Sequence, residues 1–113
     1  MAIRLTTHVL DLTSGSPAQG VRVDCYHGES LLRTTWTNAD GRVDRPLAEG
    51  ETLNAGRYRI DFHVGEYFEA RKHPDARRFL DVVPIVFVVS DASRSYHVPL
   101  LVTPWGYSTY RGS

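Results

Sequence analysis

Cysteine is almost missing from this chain: Cys25 is the single one in 113 residues, so an intramolecular disulfide and a cysteine-rich zinc site are both ruled out. An excess of either charge is missing too. Thirteen Lys and Arg face thirteen Asp and Glu, for a formal net charge of zero with His neutral, which removes the electrostatic basis for binding nucleic acid or an anionic membrane. Long apolar runs are absent; Val82 to Val89 is the longest, is interrupted by Pro84, and is far too short to span a bilayer. The start, Met1-Ala2-Ile3-Arg4-Leu5, has no positive charge leading into an apolar signal stretch. No Gly-rich phosphate loop, no Gly-x-Ser-x-Gly elbow and no His pair at metal-ligand spacing on one element occurs. These absences lead us to expect a soluble cytoplasmic protein with neither nucleic acid nor membrane as partner. Peroxisomal import stays open.

What is present is ordinary globular composition, 42% hydrophobic and 23% charged, in a length that serves one core, so residues 1–113 are read as a single domain. The apolar period is two. Leu5, Thr7 and Val9 alternate with Arg4, Thr6 and His8; Val21, Val23 and Cys25 with Arg22, Asp24 and Tyr26; Tyr58, Ile60, Phe62 and Val64 with Arg57, Arg59, Asp61 and His63. A late run does the same, with Tyr96, Val98, Leu100 and Val102 against His97, Pro99, Leu101 and Thr103. Val82–Val89 is apolar on both parities, which predicts a strand covered by the core on one side and by a subunit contact on the other. Gly, Pro, Asn and Asp punctuate the runs at 14–17, 38–41, 54–56 and 91–93. Only 65–72 looks helical, with His73-Pro74 as its stop. Six to eight short strands, one short helix and no βαβ rhythm predict an all-β antiparallel sandwich.

Few residues offer chemistry. His8 and His97 fall on polar strand parities, which by itself describes solvated histidines on outer sheet faces. The His97 parity also carries Pro99 and Leu101, however, and a half-apolar surface bearing an imidazole suits a pocket floor or an interface. Arg42 follows Asp40-Gly41 at the mouth of a turn, where a surface ion pair is the plain alternative. The last eight residues, Gly106 to Ser113, are either a solubilising tail or a β-segment that gathers phenol, guanidinium, hydroxyl and carboxylate. His27, His63 and His73 read as structural or surface groups, Cys25 as a small core residue, and Trp36 and Trp105 as packing residues.

Three stretches together carry a resemblance. Thr6-Thr7-His8-Val9-Leu10-Asp11 followed by Gly15-Ser16-Pro17-Ala18, then Thr37-Asn38-Ala39-Asp40-Gly41-Arg42, then His97-Val98-Pro99-Leu100-Leu101 leading to Tyr107-Ser108-Thr109-Tyr110-Arg111-Gly112-Ser113 resemble the transthyretin family. The two histidines and the Tyr-Arg-Gly-Ser terminus resemble its 5-hydroxyisourate hydrolase branch rather than its carriers. The resemblance covers essentially the whole chain; the central turn alone is a weak motif, and the likeness is weakest over 66–81, where the charged stretch has no motif to match.

The resemblance implies a transthyretin-like (prealbumin-like) sandwich of two four-stranded antiparallel sheets with one short helix near 65–72. It also implies a homotetramer, a dimer of dimers, whose tails are ordered by neighbouring subunits. The implied reaction is hydrolysis of the ring lactam of 5-hydroxyisourate to 2-oxo-4-hydroxy-4-carboxy-5-ureidoimidazoline in urate degradation, with no metal and no organic cofactor. Implied catalytic residues are His8, Arg42, His97 and Ser113; Tyr110, Arg111 and Gly112 would bind substrate or anchor the tail. Two other readings stay open: a non-catalytic carrier of a planar aromatic ligand, and a β-sandwich interaction module.

Overall fold

The computed structural model describes residues 2–112. The period-two runs form strands, and their apolar parities meet between two sheets. β1 (Ile3–Asp11), β2 (Ser16–Pro17), β5 (Ala48–Gly50), β8 (Tyr96–Val102) and β9 (Tyr107–Thr109) make the first sheet. β3 (Arg22–His27), β4 (Ser30–Trp36), β6 (Gly56–Phe62) and β7 (Val83–Val89) make the second, in the order β4-β3-β6-β7. Leu5, Val9, Val23, Cys25, Ile60, Phe62 and Leu100 are wholly buried between them, as their alternation predicts. Burial pushes the Cys25 thiol up to about 12, so it packs as an inert apolar group.

The sandwich is as expected, but one sheet departs from four antiparallel strands. It contains five, and its central pair, β1 and β8, runs parallel from Leu5↔Tyr96 to Asp11↔Val102. The alternation of a strand fixes which face is buried and is silent on direction. β1 spends its other edge in pieces. Ile3–Leu5 pairs with β5 and Leu10–Asp11 with β2. The gap between them is filled by the 38–42 turn, through Val9 N–H to the Gly41 carbonyl at 2.8 Å and a bridge between His8 and Arg42.

The helix, α1 (Val64–Ala70), packs Val64, Tyr67 and Phe68 inward at helical spacing. Its Tyr67 hydroxyl donates to Asp11 Oδ2 at 2.8 Å and ties it to the end of β1. It stops two residues before the predicted limit because Lys72 turns left-handed at φ 58°. Bonds from Lys72 N–H to the Glu69 carbonyl and from His73 N–H to the Phe68 carbonyl then close a Schellman end without a glycine. Arg77 bridges Glu69 at 3.4 Å and Asp81 at 3.2 Å, so the charged segment after the helix folds back on it.

Two packing expectations fail. Trp36 and Trp105 are both more than half exposed, Trp105 stacking on the equally open Phe79 and donating to Asp75 Oδ2 at 3.1 Å. Both indoles sit on outer surfaces where single-strand parity or loop position carries no inward preference. In β7, Val83, Ile85 and Val89 face the core as predicted, whereas Val86 and Val88 are exposed in the single chain. Among the described residues, no helix is long and apolar enough to cross a membrane.

Candidate active site

The parallel register places Thr6 beside His97 and His8 beside Pro99 on the outer face of the first sheet. The turn that fills the gap along β1 brings in Arg42. That turn is built by Asn38: its side-chain oxygen accepts from the Asp40 and Arg42 amides at 2.9 and 3.2 Å, while its own N–H donates to the Arg42 carbonyl at 2.7 Å. Gly41 is required there twice over, by φ 73° and because a Cβ would run into the Val9 carbonyl. Arg42 is thereby pinned next to the strand that carries His8.

A cavity of about 400 Å³ opens on this face, lined by Arg4, Thr6, Arg42, Ser95, Tyr96 and His97. His97 Nδ1 lies 2.9 Å from Thr6 Oγ1. Burial lowers the His97 pKa from its ordinary 6.5, and the charges of Arg42 and His8 lower it further, which favours the neutral ring. The lining is cationic through two guanidinium groups and suits a planar, electron-rich or anionic guest. Among the described residues, no three His, Cys, Asp or Glu side chains gather into a metal-binding group.

The tail continues along β8. Val102↔Tyr107, Leu101↔Ser108 and Leu100↔Thr109 are followed, in the same register, by a bridge between His97 and Gly112, with the Gly112 amide donating to the His97 carbonyl at 2.7 Å. The tail is therefore ordered within its own chain, where the resemblance implied a neighbouring subunit. Gly112 is buried against the His97 ring; a Cβ there would stand 2.6 Å from Cδ2.

Of the residues singled out from the sequence, Arg42 and His97 line this cavity, while His8 is bridged to Arg42 and Gly112 lies against the His97 ring. Arg111 lies at the cavity margin, its guanidinium 4.4 Å from the centre of the Tyr96 ring and bonded to the Ser95 carbonyl at 3.3 Å. Tyr110 lines a separate, mostly apolar depression of about 270 Å³ between the tail and β7, shared with Val86, Val88 and Val98. Ser113 lies outside the described residues. His27, His63 and His73 each take a partner elsewhere: the Ala55 carbonyl, Asp24, and the Asp75 amide. Reading the sequence did not single out Thr6, Ser95 or Tyr96 for the site. Thr6 shares the parity of His8, but only the β1–β8 pairing, across 91 residues, brings it to His97.

Residues 5–112 match the model of the HIUase/Transthyretin family. The chain belongs to that family. Among its relatives, "5-hydroxyisourate hydrolase 2" of Rhizobium meliloti (strain 1021) is 53% identical, with 97% of this chain and 96% of the relative covered. The solved 5-hydroxyisourate hydrolase of Klebsiella pneumoniae superposes with a TM-score of 0.81 at 34% identity, over 98% of this chain and 99% of that one. Sea bream transthyretin, solved in complex with thyroxine, superposes at 0.83 with 25% identity, over 96% and 94%. This member of the HIUase/Transthyretin family therefore shares its frame with a hydrolase and with a protein solved bound to thyroxine.

Proposed function

We propose that the chain is a hydrolase that opens the ring lactam of 5-hydroxyisourate, giving 2-oxo-4-hydroxy-4-carboxy-5-ureidoimidazoline. The near-full-length similarity to 5-hydroxyisourate hydrolases supports the substrate. The observation that carries the chemistry is one cavity lined by both the His97 imidazole and the Arg42 guanidinium; burial and the neighbouring charges lower the His97 pKa.

In the proposed reaction, water attacks the lactam carbonyl carbon and gives its proton to an imidazole. The oxyanion that forms is met by the Arg42 fork of N–H donors. The C–N bond then breaks with its electron pair on the ring nitrogen, which takes a proton from an imidazolium, and the carbonyl carbon leaves as a carboxylic acid that ionises. His8 and His97 supply the two imidazoles, a general acid–base contribution worth about 10²–10⁴-fold. Gly112 and Arg111 shape the wall and Ser113 supplies the tail's hydroxyl, whereas Tyr110 lines the separate depression beside β7. Each step is carried by side chains and backbone.

The site opens outward from the sheet, and a homotetramer that stacks such faces would exclude water from it. The exposed Val86 and Val88 and the edges of β7 and β9, unpaired among the described residues, support association of copies at that side of the sandwich.

The test is the ultraviolet decay of 5-hydroxyisourate, freshly made from urate by urate oxidase. A rate above spontaneous decay, proportional to protein and lost in His97→Asn, is expected. No excess from a well-folded assembly would instead favour a carrier of a planar ligand, which binds without turnover.

A further inference from the structure

We propose that Thr6 is a positioning residue: its hydroxyl accepts from Nδ1–H of His97, so that Nε2 faces the cavity and is the atom that takes the proton of the attacking water. This rests on the hydrolase reading and deepens it by assigning His97 as the base.

Two adjacent threonines are used differently. Thr7 points into the sandwich and spends its hydroxyl on the Val98 carbonyl at 2.7 Å. Thr6 points outward and spends its hydroxyl on the imidazole at 2.9 Å. On the other side the ring packs against Gly112, where there is no space for a Cβ. The ring is thus held at its Nδ1 edge by Thr6 and at Cδ2 by the tail backbone, which leaves the Nε2 edge as the one free to meet a guest. Nε2 has no hydrogen-bond partner among the described residues.

The choice of a hydroxyl has a chemical consequence. A carboxylate at this position would fix the same tautomer but would also stabilise the imidazolium, raising the pKa and occupying the base with a proton. A neutral acceptor orients the ring without that effect. Among the described residues, the charged and titratable groups around His97 point the same way: Arg4 and His8 on β1, Arg42 on the turn, Tyr96 beside it on β8 and Arg111 on the tail contribute no carboxylate, and the nearby Glu49 on β5 is turned to Arg4 at 4.0 Å. Burial and the neighbouring positive charges then keep the lone pair available.

The experiment uses the intact protein with isotope-labelled histidine, His97 being identified by the resonances lost in His97→Asn. The expected result is a neutral His97 in the Nδ1–H form, shifting toward a mixture in Thr6→Val and restored in Thr6→Ser. In the decay assay Thr6→Val lowers kcat about tenfold with little change in KM, Thr6→Ser recovers it, and Thr6→Asp moves the acidic limb of the pH profile upward. An Nε2–H form in the unaltered protein, or a Thr6→Val protein with unchanged tautomer and unchanged kcat, would overturn the proposal. The tautomer is read without substrate. Failure to hydrolyse 5-hydroxyisourate while the tautomer result holds would therefore strike the hydrolase reading and not the positioning by Thr6.

Discussion

His97 on the first sheet and His63 at the end of the second are both histidines that follow the polar parity of a strand, yet their surroundings are opposite. His63 Nε2 sits 2.8 Å from Asp24 Oδ2, and Asp24 also accepts from the Thr34 hydroxyl at 2.8 Å and meets Arg22 at 3.4 Å. Burial by itself would raise the Asp24 pKa. The bonds from Thr34 and His63 and the charge of Arg22 outweigh it and hold the carboxyl below its ordinary 3.8. His97 has a hydroxyl for a partner and cations for neighbours. An imidazole bound to a carboxylate serves as a pin, and His63 uses that role to fix the start of α1 against β3. An imidazole bound to a neutral hydroxyl beside guanidinium groups keeps a usable lone pair. The partner, rather than the histidine, decides which task is open to it.

The sharpest test of this contrast is to treat the two histidines alike. His97→Asn is expected to lower kcat/KM in the 5-hydroxyisourate decay assay by about 10²–10⁴-fold with thermal stability nearly unchanged. His63→Asn should leave kcat/KM within about twofold. Equal losses of activity in both variants would erase the distinction. Next in size is Gly112→Ala. Its new methyl must displace the His97 ring, so turnover should fall by about tenfold or more while denaturant unfolding changes little.

How much of this could be read in the sequence follows from what each signal encodes. The buried alternation of Leu5, Thr7 and Val9 and of Tyr58, Ile60 and Phe62 states which face of a strand turns inward, and the structure agrees residue by residue. The same alternation gives no neighbour, so neither the parallel β1–β8 pair nor the Thr6–His97 bond could be foreseen. His63 and His97 look alike on paper for that reason. The resemblance of the central turn and the terminal stretch to known proteins singled out Arg42, His97 and Gly112, whereas hydrophobic pattern alone left each in doubt. Trp36 and Trp105 show the reverse error, since large aromatic size does not by itself imply burial, and the end of β4 and the loop after β8 both face outward.

The remaining predictions concern the carboxylate side of the contrast and the cations. Removing the pin by His63→Ala leaves Asp24 buried and short of a donor, at a cost of about 1–3 kcal/mol in denaturant unfolding. Because the folded Asp24 pKa is depressed, its stabilisation is present above the ordinary carboxylate value of 3.8 and is lost as pH falls below it. Asp24→Asn should flatten that acid loss; an unchanged acid transition would show that the ion pair is idle. The smallest effect is a shift of the pH profile through Arg42, separate from any loss of rate. With His97 held below 6.5, the acidic limb of kcat/KM should lie below that value, and Arg42→Gln should move it upward by removing one of the charges that depress it. A limb that stays in place would mean that burial alone sets the base.

The parallel pair that carries the cavity joins residues 91 positions apart. In polymer language, closing so long a loop costs about 4 kcal/mol of chain entropy, against about 2 for a hairpin of ten residues. A guest held at once by the first strand and the eighth acts as a reversible cross-link across nearly the whole chain. Such a guest opposes unfolding of the entire domain and not only of the cavity wall, so occupancy and global stability rise together.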